Sequence, residues 1–138
     1  MPRPTARVVV IGDEILSGKV QDANSPWLLR ELRRRGVACP GLVVVPDLVQ
    51  DVADAVRLAS RTADHVFTSG GVGPTHDDVT YAALAGRAGL ARHAGTVRAM
   101  QESYGRRGVP LTEARLTMAD LPAAADEVLT TPGTWVPL

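Results

Sequence analysis

The apolar positions of this chain come in short β-branched runs that alternate with helical stripes. Residues 8–11 are four consecutive apolar residues closed by Gly12, the pattern of a strand buried on both faces. Asn24 and Ser25 stand before Pro26 as an N-cap and first-turn proline. Trp27, Leu28 and Leu32 then fall on one stripe that ends at Gly36, which predicts a helix with Trp27 packed in the core. Residues 42–45 form a second strand run closed by Pro46 and Asp47, after which Asp51 can cap a helix carrying Val52, Val56 and Ala59. A third strand is expected over 65–68 and a third helix over 80–85, weakening near Gly86 and Gly89. This βαβαβα order predicts an α/β fold, a mostly parallel sheet with helices on both faces. Past Gly95 the pattern predicts helical stretches over 96–104 and 112–118 and a short strand near Val128 and Leu129.

At 138 residues and 45% hydrophobic content, the chain suits a single domain over 1–138. Fifteen basic and fifteen acidic residues cancel, so the electrostatic footprint of a nucleic-acid binder is missing and any phosphate must be held locally. Cys39 is the one cysteine, which excludes an internal disulfide framework and a multi-cysteine zinc site and suits a reducing compartment. The first apolar run is too short for a signal peptide or membrane span, so a cytoplasmic location without a membrane partner is expected.

Candidate chemistry gathers after the strands, where open parallel sheets bind ligands. Strand one ends in Gly12-Asp13-Glu14, strand two in Pro46-Asp47, and strand three in Ser69-Gly70-Gly71-Val72-Gly73-Pro74-Thr75-His76-Asp77-Asp78-Val79-Thr80. Glycines in such a loop let backbone amides approach a phosphate. Carboxylates beside it would repel that phosphate unless a divalent cation sat between them, and Mg²⁺ commonly takes one or two carboxylates with phosphate oxygens and water. Asp13, Asp47 and Asp78 are therefore the candidate metal ligands, with Asp77 secondary. Each alone would also suit a helix cap or an Asx turn. Candidate phosphate or ligand contacts are Gly12, Lys19, Asn24, Ser25, Ser69, Gly70, Gly71, Gly73, Thr75 and Thr80. His76 is a candidate donor or a solvated loop residue; His65 and His93 read as structural or exposed.

Two phosphate motifs are excluded by spacing. Five residues separate Gly12 from Gly18-Lys19, one more than a Walker A loop allows, and Val20 stands where its Ser or Thr would be. His76 occupies the third glycine position of a dinucleotide fingerprint, and the loop follows the third strand rather than the first.

Gly12-Asp13-Glu14-Ile15-Leu16-Ser17-Gly18, Gln21-Asp22-Ala23-Asn24-Ser25, Val45-Pro46-Asp47 and the loop from Thr68 to Thr80 together resemble the molybdopterin-binding-domain superfamily. The Gly-Pro-Thr-His-Asp-Asp-Val-Thr segment is most similar to the amino-terminal domain of competence/damage-inducible protein A and to the molybdopterin-binding-like half of FAD synthases. The resemblance implies a three-layer α/β/α domain that binds a phosphorylated pterin or nucleotide, and a homo-oligomer, trimer or dimer. It assigns Asp47 and Asp78 as the catalytic acidic pair working with Mg²⁺ or another divalent metal. It implies metal-dependent cleavage of a nucleotide pyrophosphate such as ADP-ribose or FAD, adenylyl transfer to molybdopterin being the alternative enzyme role and non-catalytic ligand binding or scaffolding the third. Pro132-Gly133-Thr134 is similar to a segment upstream of the family's Leu-Pro-Gly-type loop, which implies a chain shortened at its carboxyl end. The amidase and synthase domains of those relatives lie outside this sequence, and neither activity is expected of it.

Overall fold

The computed structural model describes residues 2–129, so the segment around Pro132 lies outside the described residues. Strand β1 (Thr5–Ile11) is the centre of a three-stranded parallel sheet, flanked by β2 (Ala38–Val45) and β3 (His65–Ser69) in the order β2-β1-β3. Side chains alternate across a strand, so β1 feeds two cores. Val9 and Ile11 pack with Val52, Ala59 and Ala83 on one face, beneath α3 (Val49–Ser60) and α4 (Thr80–Ala85). Ala6, Val8 and Val10 pack with Leu32 on the other, beneath α1 (Asp13–Leu16) and α2 (Asn24–Arg34). This is the predicted three-layer α/β/α arrangement. Near its start β2 carries Pro40 at an irregularity in register, a place for proline on an edge strand.

Several local expectations change. Helix α2 is capped from Asp22, whose Oδ1 accepts from the N–H groups of Asn24 and Ser25 at 3.1 Å each, so these two residues begin the helix rather than cap it. Its buried stripe runs through Ser25, Leu28, Leu29 and Leu32. Trp27 lies off that stripe and is 59% exposed, which corrects its assignment to the core. Helix α3 starts two residues before Asp51, with Leu48 at the N-cap, so Asp51 is a first-turn acid and not the cap.

The remaining chain makes a smaller unit. Strands β4 (Leu90–Arg92) and β5 (Asp120–Pro122) pair antiparallel, and between them run α5 (Ala94–Arg106), α6 (Glu113–Leu116) and a 3₁₀ turn over Thr117–Ala119. Met100, Tyr104, Met118 and Ala119 form its core. Val128 and Leu129 are not in a strand; the strand expected there lies at β5 instead, paired to a β4 that periodicity did not reveal. Arg92 on β4 bridges Asp120 on β5 and Glu113 on α6, which ties the unit together. His93 serves structure: its Nδ1 accepts from the Thr96 N–H at the start of α5.

Candidate active site

Parallel register brings three strand ends to one level. Ile11 pairs with Val45 and Val10 with Ser69, so Gly12, Pro46-Asp47 and Gly70 leave the sheet side by side. The Gly12 N–H continues the ladder to the Val45 carbonyl at 3.1 Å, and the next N–H, of Asp13, is accepted by Asp47 Oδ2 at 2.8 Å. Asp47 thus ties the first turn after β1 to the end of β2.

The glycine loop needs its glycines at two positions in particular. Gly70 has φ +99°, and a Cβ there would stand 2.1 Å from the Ile11 carbonyl oxygen. Gly71 has φ +64°, and its Cβ would meet Thr80 Oγ1 at 2.4 Å. Both conformations are ones that side chains other than glycine rarely adopt. Farther along, the loop closes on itself: Asp78 Oδ2 accepts from the Thr75 N–H at 2.8 Å and the Thr75 hydroxyl at 2.6 Å. Partial burial pushes the Asp78 carboxyl up, but the Thr75 hydroxyl and the Thr75 and Gly73 N–H groups outweigh it and hold the group below its ordinary value.

These elements enclose an open cleft of about 520 Å³ lined by Asp13, Glu14, Ser17, Lys19, Asp47, Gly71, Thr75, Asp77 and Asp78. Five carboxylates and one lysine thus share one wall system. Of the expected contacts, Lys19, Gly71 and Thr75 join the three candidate metal ligands here. Asn24, Ser69 and Gly70 line a smaller neighbouring cleft of about 260 Å³ that shares Glu14, and there Asn24 Nδ2 donates to Ser69 Oγ at 3.1 Å. Gly12, Ser25 and Thr80 are buried in the structure and line neither cleft. The Thr80 hydroxyl donates to the Gly70 carbonyl at 2.8 Å, which makes it a strut of the loop. Gly73 lies under Asp78, where a Cβ would come within 2.7 Å of Oδ2. His76 points to solvent, 93% exposed beside Asp77.

Sequence reasoning left Glu14 and Ser17 outside its set of site residues, although Glu14 directly follows Asp13 after the first strand. It also missed Tyr81, three residues beyond Asp78, which lines a further cleft on the far side of the loop. Among the described residues, no three His, Cys, Asp or Glu side chains converge as a metal site. Asp47 and Asp78 nevertheless supply the hard oxygen donors that Mg²⁺ accepts, and Mg²⁺ needs only one or two carboxylates when phosphate and water complete its shell. Among the described residues no helix is long and apolar enough to cross a membrane.

Comparison with known proteins agrees with this fold. A family model described as a probable molybdopterin binding domain matches residues 7–136. A protein of Pyrobaculum calidifontis is 38% identical over 124 residues, 88% of this chain and 47% of its own length. A probable FAD synthase of Caenorhabditis briggsae is 51% identical over 83 residues, 60% of this chain and 16% of that protein. The chain therefore spans less than half the length of these relatives. The crystal structure of CinA from Thermoplasma acidophilum, a protein of unknown function, aligns with a TM-score of 0.86 over 98% of this chain and 79% of that one, at 29% identity. With the family match running from the first strand through the acidic loops and beyond, this chain belongs to the family of probable molybdopterin-binding domains.

Proposed function

We propose that this domain binds a phosphorylated nucleotide or pterin across the acidic cleft, together with Mg²⁺ or another divalent metal, and hydrolyses its pyrophosphate. The observation that carries the reading is the meeting of five carboxylates and a glycine loop in one cleft, with Lys19 the single cation among its lining residues. Bound pyrophosphate would face strong repulsion from those carboxylates without an intervening cation. When bound, the ion would neutralise phosphate charge and polarise the phosphorus centre.

The protein's own contribution is positioning. Asp47 and Asp78, which line one cleft with Asp13, are the carboxylates available to hold the ion or orient an attacking water. Loop amides near Gly71 would offset charge on the departing phosphate. As a water oxygen bonds to phosphorus, the bridging P–O bond breaks, the water's proton passes to a carboxylate and then to solvent, and two phosphate esters leave. The family match supports a second reading, adenylyl transfer to molybdopterin, because the family is described by pterin binding. Non-catalytic ligand binding or scaffolding is the third. The homo-oligomer is part of the same proposal; Leu42, Val43 and Phe67 on the two outer strands are exposed, as surfaces that associate would be.

The test incubates purified protein with ADP-ribose, FAD, coenzyme A, and molybdopterin plus ATP, across several divalent metals, alongside Asp78→Asn. Turnover of a pyrophosphate that Asp78→Asn lowers by a hundredfold or more, roughly the loss expected of a group acting on the transition state, supports the reading. Ligand binding without turnover makes this a binding domain, and full activity in the variant removes Asp78 from the chemistry.

A further inference from the structure

The loop that closes on Asp78 is a partition with a cleft on each side. Thr75 and Asp78 line both the acidic cleft and a second one of about 430 Å³, whose other walls come from α4 and the smaller unit. Lining chemistry changes abruptly across this partition. Carboxylates dominate the first side, whereas the second sets Pro74, Val79, Tyr81, Ala82 and Leu90 beside two carboxylates, Asp78 and Asp120.

The polar side chains contributed to the second cleft by the smaller unit are already engaged. Asp120 takes two bonds from the Arg92 guanidinium, and the Thr117 hydroxyl donates to the Ala114 carbonyl at 2.7 Å. Besides Thr75, His76 and Asp78 of the loop, what remains is a half-buried tyrosine ring beside aliphatic side chains, in a cleft within the size range of small-molecule sites, about 300–1,000 Å³. The acidic cleft has no aromatic or large apolar side chain in its lining, so a flat ring gains nothing there.

We infer that this second cleft is the subsite for a flat heteroaromatic ring, a nucleobase or a pterin, which stacks on Tyr81 while the ligand's phosphates cross the Thr75–Asp78 partition. The inference rests on the acidic cleft being the pyrophosphate site. Tyr81 then determines which phosphorylated compounds are held, because a ring can pack against its face and inorganic pyrophosphate cannot.

Two measurements test it. Phosphate-free probes, adenosine and free pterin, are titrated against the protein while the Tyr81 ring resonances are followed by NMR. One of them should shift those resonances, and the stronger binder names the ring class. Calorimetry then compares ADP and inorganic pyrophosphate, each with Mg²⁺, on wild type, Tyr81→Leu and Tyr81→Phe. Tyr81→Leu should weaken ADP by about tenfold, the order expected for one base stacked on an aromatic ring, leave pyrophosphate unchanged, and be rescued by Tyr81→Phe. The inference is overturned if neither ring probe moves Tyr81, if Tyr81→Leu leaves ADP unaffected, or if it weakens ADP and pyrophosphate alike. If pyrophosphate fails to bind wild type while a ring probe still shifts Tyr81, the phosphate reading falls and the ring subsite stands.

Discussion

The Thr80 hydroxyl donates to the Gly70 carbonyl at 2.8 Å, and the Thr80 N–H reaches the Gly71 carbonyl at 3.0 Å. One fully buried residue at the start of α4 therefore closes the base of the glycine loop. The loop's shape depends on this strut as well as on its glycines.

Thr80→Val keeps the side-chain volume and removes the donor. It should cost about 1–3 kcal/mol, the range for leaving a buried group without its partner. Urea unfolding measures the loss, and faster amide exchange around Gly71 would locate it. Thr80→Ser, which retains the hydroxyl, should lose less.

Gly70→Ala should be far more damaging than Gly86→Ala. Both glycines have positive φ, but a Cβ at Gly70 meets the Ile11 carbonyl whereas at Gly86 it meets nothing within 4 Å. Backbone strain alone predicts about 1–3 kcal/mol at Gly86; the clash adds about 1–3 kcal/mol to that at Gly70→Ala. Thermal unfolding of the two variants side by side gives the comparison, and equal losses would contradict the close approach of β3 to β1.

Trp27→Ala should change stability by less than about 0.5 kcal/mol, as expected for an exposed side chain. Leu32→Ala, at a buried position on the same helix, should cost about 2–5 kcal/mol. Denaturant midpoints decide whether the stripe of α2 runs where the structure puts it.

Asp64 gives a pH dependence. Its Oδ2 accepts from the Thr5 hydroxyl at 2.7 Å and the Thr5 N–H at 2.8 Å, joining the starts of β3 and β1. The Thr5 hydroxyl first, then the Thr5 N–H, hold the Asp64 carboxyl below its ordinary value. A depressed carboxylate binds its proton more readily in the unfolded chain, so its stabilisation is complete above the unfolded value and is lost as pH falls through the folded one. Wild type should therefore lose its advantage over Asp64→Ala on acidification, which unfolding midpoints from neutral to acid pH will show.

Much of the site was legible in residue order because strand ends and turn chemistry are local. Gly12-Asp13, Pro46-Asp47 and the loop after Ser69 each follow a β-branched run, and parallel pairing makes such ends neighbours. Roles within the site were less legible. Thr80 reads as a phosphate donor in sequence, yet its hydroxyl is used inside the loop; Ser25 is likewise buried. Trp27 looked internal because hydrophobicity marks a stripe only to within about one residue's rotation, roughly 100° on a helix.

The βαβαβα order, the glycine loop and the acidic strand ends are written in residue order, since alternation, β-branching and glycine placement act through short-range sterics. Which carboxylates share a cleft, and that Tyr81 lies across the partition from the acidic wall, follow only from the packed fold. It also paired β4 with β5 across 27 or more residues of chain, Arg92 opposite Asp120. Such contacts depend on how separate elements pack, and no local pattern encodes the direction in which a side chain meets a partner brought in from far along the chain.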